Sequence, residues 1–246
     1  MFPVSVVIIT KNEESNIRDA LKSAEDAREI VVVDSFSSDR TVEICREFTD
    51  KVFQHSWEGF ARQKQRAVDY AEGPWVLILD ADERLTPALK TEITESILNT
   101  DYSGFYVPRE NYFIGKWIRH GGWWPDHTLR LFRKDRGRLE VRKVHEKVVV
   151  KGKTGYLKNP LRHYTYRSIS DFTKRMELYS TLAAEEKMKN AGKTGLFSLT
   201  ARPLATFVKM YFLRLGFLDG ARGLVLAVLY SYYTFLKYAR IWERQL

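Results

Sequence analysis

Trp75-Val76-Leu77-Ile78-Leu79-Asp80-Ala81-Asp82-Glu83 is the stretch on which the reading of the fold turns. Its unbroken apolar run reads as a strand buried on both faces, as in a parallel sheet covered by helices. The run ends on two carboxylates spaced i, i+2. In continued extended geometry both would leave one face of the strand and reach the same point. Paired carboxylates at the carboxyl end of a buried strand suit a hard divalent cation that already carries phosphates, Mg²⁺ or Mn²⁺. A solvated acidic turn would also produce so short a match, so the neighbouring segments must decide.

Upstream, Val4 to Ile9 is a β-branched run, followed by a helix from Glu14 to Ala27 with Ile17, Ala20, Leu21 and Ala24 on one face. Ile30 to Val33 is a second buried strand ending at Asp34, and Ser35 to Asp39 makes a polar turn. Asp39 is placed to cap the helix carrying Val42, Cys45 and Phe48. Val52-Phe53 is a short strand, Phe60 to Ala71 a helix, and Thr86-Pro87 starts the next helix with an N-cap and a proline. This alternation predicts an α/β fold with a mostly parallel sheet, whose ligands lie outside the strand carboxyl ends. The polar residues cluster there: Thr10, Asn12 and Glu13 after the first strand, Asp34 and Asp39 after the second, Asp80 and Asp82 after the fourth.

Thr10-Lys11-Asn12-Glu13-Glu14 stands where a glycine-rich phosphate loop would be, which disfavours dinucleotide-binding and P-loop folds. A nucleotide can instead be held by acids bonding ribose or base, with a metal on the diphosphate. Glu13 and Asp34 suit the first task, and Lys64 suits a phosphate contact. Each also has a plain structural reading: first-turn helix charge, strand-end turn residue, solvated lysine.

The chain of 246 residues is 44% hydrophobic and 29% charged, room for one main domain plus an extension. Its formal charge of +9 points to an acidic partner: anionic lipid, phosphorylated substrate or nucleic acid. The single cysteine, Cys45, precludes an internal disulfide and lies at core spacing in its helix. The N-terminal apolar stretch is only a strand's length and lacks a basic flank, so no secretory signal peptide is expected. No helix-turn-helix, zinc or RNP pattern appears, and no nucleic-acid partner is expected.

Val4-Ser5-Val6-Val7-Ile8-Ile9-Thr10-Lys11-Asn12-Glu13, Val31-Val32-Val33-Asp34-Ser35-Phe36-Ser37-Ser38-Asp39-Arg40-Thr41 and Leu79-Asp80-Ala81-Asp82-Glu83, in this order and spacing, resemble the family 2 glycosyltransferases of the GT-A fold. Leu129 to Lys134, Val144-His145-Glu146 and Leu161 to Tyr166 are similar to the branch containing lipopolysaccharide-core glucosyltransferases of the WaaE type. The resemblance implies a Rossmann-like GT-A domain over residues 1–167 and a helical C-terminal extension over 168–246. It implies transfer of a sugar, glucose in this branch, with inversion, from a nucleotide-sugar donor such as UDP-glucose. Glu13 and Asp34 then look like nucleoside contacts, with Thr10 and Asn12 beside them and Asp39 supporting the loop. Asp80 and Asp82 look like donor and metal carboxylates for Mn²⁺ or Mg²⁺, with His163 as a third ligand or a core histidine. Inversion by one displacement requires a base for the acceptor hydroxyl. Glu146 stands where the family carries an acidic pair ending in aspartate, here altered to His145-Glu146. Asp126, in the Gly121-Gly122-Trp123-Trp124-Pro125-Asp126 loop, is the rival, and the tryptophans there suit a sugar ring or a core.

From Ser168 the character changes. Ile169 to Lys189 reads as an amphipathic helix, and Leu204 to Arg214 and Gly223 to Leu236 are apolar and aromatic, bracketed by Arg214, Arg222, Lys237 and Arg240. The uncharged stretch is shorter than the roughly 20 residues a spanning helix needs. The expectation is an interfacial, peripheral attachment to an anionic membrane surface, the cytoplasmic face of the inner membrane, facing a lipid-linked glycan acceptor of lipopolysaccharide-core or related type. The alternatives are helices packed on protein, another polysaccharide or glycolipid acceptor, and a non-catalytic glycan-binding protein.

Overall fold

The computed structural model describes residues 1–98, 100–140, 147–188 and 194–246. By compactness the chain forms two units, residues 1–109 with 127–163, and residues 110–126 with 164–246. The segment 110–126 thus belongs with the C-terminal helices.

In the first unit β1 (Phe2–Thr10), α1 (Glu14–Ser23), β2 (Ala27–Asp34), α2 (Thr41–Arg46), β3 (Val52–Gln54), α3 (Phe60–Tyr70) and β4 (Trp75–Ile78) alternate in the predicted order, although α1 ends at Ser23 and Ala27, expected in that helix, already opens β2. Short β5 (Glu83–Arg84) and α4 (Pro87–Ile97) follow, then β6 (Tyr102–Phe113), β7 (Lys116–Trp117) and β8 (His127–Arg133). The ribbon of β9 (Gly137–Glu140) and β10 (Lys147–Val150), then β11 (Lys153–Tyr156) and β12 (Leu161–Tyr166), complete the strands. The sheet runs β3-β2-β1-β4-β8-β6. Its first four strands are parallel, and β8 is antiparallel to both β4 and β6.

Apolar runs without alternation make sense here because both faces are covered. Val4, Val6 and Ile8 of β1, Ile30 and Val32 of β2 and Leu77 of β4 point into one core with α1, α2 and α4, through Ile17, Leu21, Ile44, Cys45, Leu89 and Ile93. The intervening Val7, Val31, Val33, Val76 and Ile78 point the other way, onto Ala61, Ala67 and Val68 of α3. Each such side chain, once buried, contributes roughly 1.5–3 kcal/mol. Burial also pushes the Cys45 thiol up to about 12, so it packs as an apolar group. Thr86 caps α4 as read, its hydroxyl accepting from the Leu89 N–H at 3.2 Å ahead of Pro87.

The second unit contains α5 (Ile169–Met188), α6 (Leu196–Val208) and α7 (Ala221–Glu243), with a π-helical turn at Lys209–Leu213 and a 3-10 turn at Gly216–Asp219 between the last two. Phe113, Trp123, Tyr166 and Phe172 form an aromatic core with Ile118, Met176 and Leu226. The ends of β6 and β7 pair Phe113 with Lys116 through the two-residue turn Ile114-Gly115. Both turn residues have positive φ, 47° and 73°, the twist a tight hairpin favours and a β-branched residue resists. The Arg222 guanidinium holds that turn, donating to the Ile114 carbonyl at 3.1 and 3.2 Å. Among the described residues no helix is long and apolar enough to cross a membrane.

Candidate active site

β4 stops at Ile78, and the chain turns through Asp80 to Glu83. The Glu83 N–H donates to the Asp80 carbonyl at 2.9 Å, while the Asp80 N–H donates to Glu83 Oε2 at 2.9 Å. The extended geometry assumed for the two carboxylates is therefore corrected: the reciprocal turn points Asp80 and Asp82 at different partners. Arg84, buried, locks the turn by donating to the carbonyls of Ala81 at 2.9 Å, Glu83 at 2.8 Å and Asn16 at 2.7 Å.

Asp80 lies between two cations. Lys64 Nζ is 2.8 Å from one of its oxygens and Arg130 Nη2 is 2.5 Å from the other. Arg130 also reaches Glu83 Oε1 at 2.6 Å, and Arg109 stands 3.6 Å from that oxygen. Lys64 occupies a core-facing position of α3, in line with Ala61 and Val68, and is 3% exposed. Burial opposes ionisation of Asp80, but Arg130 and Lys64 outweigh it and hold the carboxyl well below the usual carboxylate range. Beside this network is a cavity of about 320 Å³, charged along Lys64, Asp80, Arg109 and Arg130 and apolar along Ile78, Tyr106, Leu129 and Val148. Such a mixture suits a small polar ligand with an apolar face.

Asp82 has a separate partner. β12 pairs with β5 so that His163 lies opposite Glu83, and this register brings His163 Nε2 to 3.5 Å from Asp82 Oδ2. A carboxylate oxygen beside an imidazole nitrogen is a donor pair that fits Mn²⁺, whereas Mg²⁺, which takes oxygen donors, would use the carboxylate alone; either ion leaves its remaining positions to phosphate oxygens and water. Among the described residues no three His, Cys, Asp or Glu side chains gather for a metal. The expected trio of Asp80, Asp82 and His163 thus resolves into a pair plus a separately neutralised aspartate.

The remaining predicted nucleotide contacts form one loop cluster on the same sheet edge, since β2, β1 and β4 are parallel neighbours. Asp34 is buried, accepting from Thr10 Oγ1 at 2.8 Å, the Ser37 N–H at 2.8 Å and Gln54 Nε2 at 3.3 Å. Asn12 ties the two loops together: its N–H donates to Ser37 Oγ and its Oδ1 accepts from the Ser38 N–H, both at 2.8 Å. Asp39 accepts from the Thr41 N–H at 3.0 Å and the Glu14 N–H at 3.1 Å, serving the first turns of α2 and α1 together. Its desolvation is outweighed by these bonds, chiefly those from Thr41, which hold its carboxyl below the usual range. Glu13 is half-buried, accepting from Asn16 Nδ2 at 2.8 Å. Exposed Phe36 joins Asn12 at positive φ, 54° and 56°, backbone strain of a kind that collects at functional loops.

Of the two candidate bases, Asp126 lies in the second unit and accepts from Asn111 Nδ2 at 2.9 Å. Glu146 and its neighbour His145 lie outside the described residues. The sequence pattern alone marks no role for Arg130, Glu83, Arg84 or Arg109. The signal for Arg130 was its place within Leu129-Arg130-Leu131-Phe132, since a charge inside a buried strand requires a partner.

The family model described as Glycosyl transferase family 2 matches residues 5–165. The lipopolysaccharide core biosynthesis glycosyltransferase LpsC of Rhizobium meliloti is 31% identical, over 98% of this chain and 93% of that protein. A glycosyltransferase of Rickettsia typhi is also 31% identical, over 100% of this chain and 89% of its own. Among solved structures, the S. aureus TarS fragment 1–349 in complex with UDP superposes with a TM-score of 0.51 at 18% identity, covering 98% of this chain and 91% of its own. That likeness shows a GT-A fold with a helical C-terminus.

Proposed function

The chain belongs to glycosyl transferase family 2, and on that premise we propose that it transfers glucose, with inversion, from UDP-glucose to a lipopolysaccharide-core or related glycolipid acceptor. The relative LpsC carries a lipopolysaccharide-core name, and a TarS fragment of similar fold was solved with UDP-GlcNAc. The observation that carries the reading is the sheet edge, where an ionised Asp80 between Lys64 and Arg130 stands beside the Asp82–His163 pair.

In this reading the loop cluster receives the nucleoside. Asp34 and Asp39 fix the loops while Asn12 and Glu13 reach solvent. Asp80 orients Lys64 and Arg130, whose positive charges face the diphosphate. Asp82 and His163 would hold a divalent ion, which would supply Lewis-acid charge against the diphosphate leaving group. Inversion needs one displacement: the acceptor hydroxyl attacks the anomeric carbon as the nucleoside diphosphate departs, and a base takes the hydroxyl proton. We assign that base to Glu146, with Asp126 as the rival.

The second unit supplies the attachment. Between α6 and α7 the apolar residues Phe212, Leu213, Leu215, Phe217 and Leu218 are all exposed, with Lys209, Arg214 and Arg222 among or beside them. Lys187, Arg202 and Lys237 gather round the Tyr238 ring. Exposed apolar groups flanked by cations suit the interface of an anionic bilayer, here the cytoplasmic face of the inner membrane. The test is transfer of labelled glucose from UDP-glucose to core-truncated lipopolysaccharide, with the anomeric configuration read by NMR. A β-linked product supports inversion from an α-linked donor; an α-linked product, or no transfer to any core acceptor, overturns the reading.

A further inference from the structure

An open cleft in the second unit has the chemistry of a binding site that the donor reaction leaves unused. Arg119, His120, Gly122, Trp124, Pro125 and Arg214 line about 420 Å³. Among the described residues neither Arg119 nor Arg214 has a carboxylate at ion-pair distance, so two guanidinium charges stand there uncompensated.

Ordinary surface arginines are loosely held; these are placed. The Arg119 guanidinium lies over the Trp117 ring, 4.3 Å from its centre, a contact that orients the charge. Trp117 in turn meets Trp124 edge to face, with centroids 5.2 Å apart. Arg214 lies against Gly122, where an added Cβ would fall 2.1 Å from Nη1 and where φ is +88°. Glycine is required there, and the guanidinium rests in the space it leaves. The Gly121 N–H donates to the Arg214 carbonyl at 2.8 Å, fixing loop to turn. Buried Asp219 accepts from the N–H groups of Arg119 at 3.2 Å and His120 at 2.8 Å, with one oxygen 3.3 Å from His120 Nδ1. Its charge is thus spent on holding the loop.

We propose that this cleft binds an anionic sugar residue of the glycan acceptor, one bearing a carboxylate or a phosphate. The two guanidinium groups match an oxyanion, and the Trp124 indole offers a face for the apolar side of a sugar ring. The proposal rests on the glycan-acceptor reading above. It makes the acceptor's charge a determinant of specificity.

Saturation-transfer NMR on the full-length chain tests it, with glucose 6-phosphate, glucuronate, glucose and inorganic phosphate as probes and phosphatidylglycerol vesicles as a further arm. Both sugar anions should bind about tenfold or more tightly than glucose or phosphate alone. Arg119→Ala and Arg214→Ala should each lose about tenfold or more of that affinity, with Tm unchanged, and Trp124→Ala should weaken the sugar anions but not phosphate. Equal binding of glucose shows no anion recognition, and equal binding of phosphate shows no sugar recognition; either overturns the proposal. Arginine variants that bind the sugar anions like wild type, or that lose only vesicle binding, also overturn it. Thermal protection by UDP-glucose, measured on the same samples, separates the two readings. If it persists while the sugar anions fail, only this inference falls; if it is absent while they bind, the donor assignment falls.

Discussion

At Asp80 the charge is maintained by neighbours rather than by water. Neutralising it in Asp80→Asn leaves Lys64, 3% exposed, and Arg130, 5% exposed, without their shared counter-ion. A loss of about 3 kcal/mol is expected, the scale of a buried pair broken from one side, checked by urea unfolding. Asp80→Ala should cost no less, whereas a stability unchanged in both would show the network to be ornamental. Glu29 gives the pH signature. Burial opposes its ionisation, but the Lys51 ammonium at 2.6 Å, the Ser5 hydroxyl and the N–H groups of Glu72 and Gly73 lower its carboxyl from 4.5 to about 2. A depressed carboxyl stabilises the fold fully above its unfolded value and loses that contribution as pH falls through the folded one. Roughly 3 kcal/mol should therefore disappear between about pH 4.5 and pH 2, and Glu29→Gln should flatten the stability profile across that window. At the base, Glu146→Gln should bind donor normally and transfer about 10²-fold more slowly. If Asp126→Asn behaves that way instead, the two assignments exchange.

Among the elements, the strands and helices of the first unit were legible because their cause is local. The runs Val6–Ile9 of β1, Ile30–Val33 of β2 and Trp75–Ile78 of β4 are apolar without alternation since helices cover both faces of the sheet, and Thr86-Pro87 announces α4 by the chemistry of a helix start. The turn after β4 was not legible in detail. Its shape depends on Glu83 reaching back to the Asp80 N–H and on Arg84 reaching the Asn16 carbonyl, 68 positions away. Nor did the pattern around Trp123 and Trp124 reveal that residues 110–126 pack with the C-terminal helices, because that core is assembled from distant segments. The same packing means that deleting the tail would strip the aromatic core, so the membrane reading is better tested at the tip between α6 and α7. Leu213 is 75% exposed and Leu218 56%. Leu213→Ser with Leu218→Ser should weaken binding to phosphatidylglycerol vesicles by about tenfold or more, as each lost apolar contact is worth about 1 kcal/mol. Binding unchanged by the pair would assign the exposed face to another role.

Across the whole molecule, the charge of +9 favours both an anionic donor and an anionic surface, and the two should respond differently to salt. Vesicle binding, made by exposed cations, should fall as the Debye length shrinks from about 10 Å at 0.1 M to about 3 Å at 1 M. Donor binding at the buried Lys64 and Arg130 should fall less. In the proposed function the strand ends hold a nucleotide sugar through Asp82 and His163 together with a divalent ion. The most direct measurement is the melting temperature of the full-length chain with UDP-glucose, with and without Mn²⁺, in wild type, Asp82→Asn and His163→Ala. A ligand at about 100 times its Kd adds about 2.7 kcal/mol, which for a chain of this size is about 5–10 °C. Wild type should gain that shift only with both components present, and either variant should lose most of it while melting normally alone. A wild type that no nucleotide sugar protects, or an Asp82→Asn protected as fully as wild type, would contradict the account.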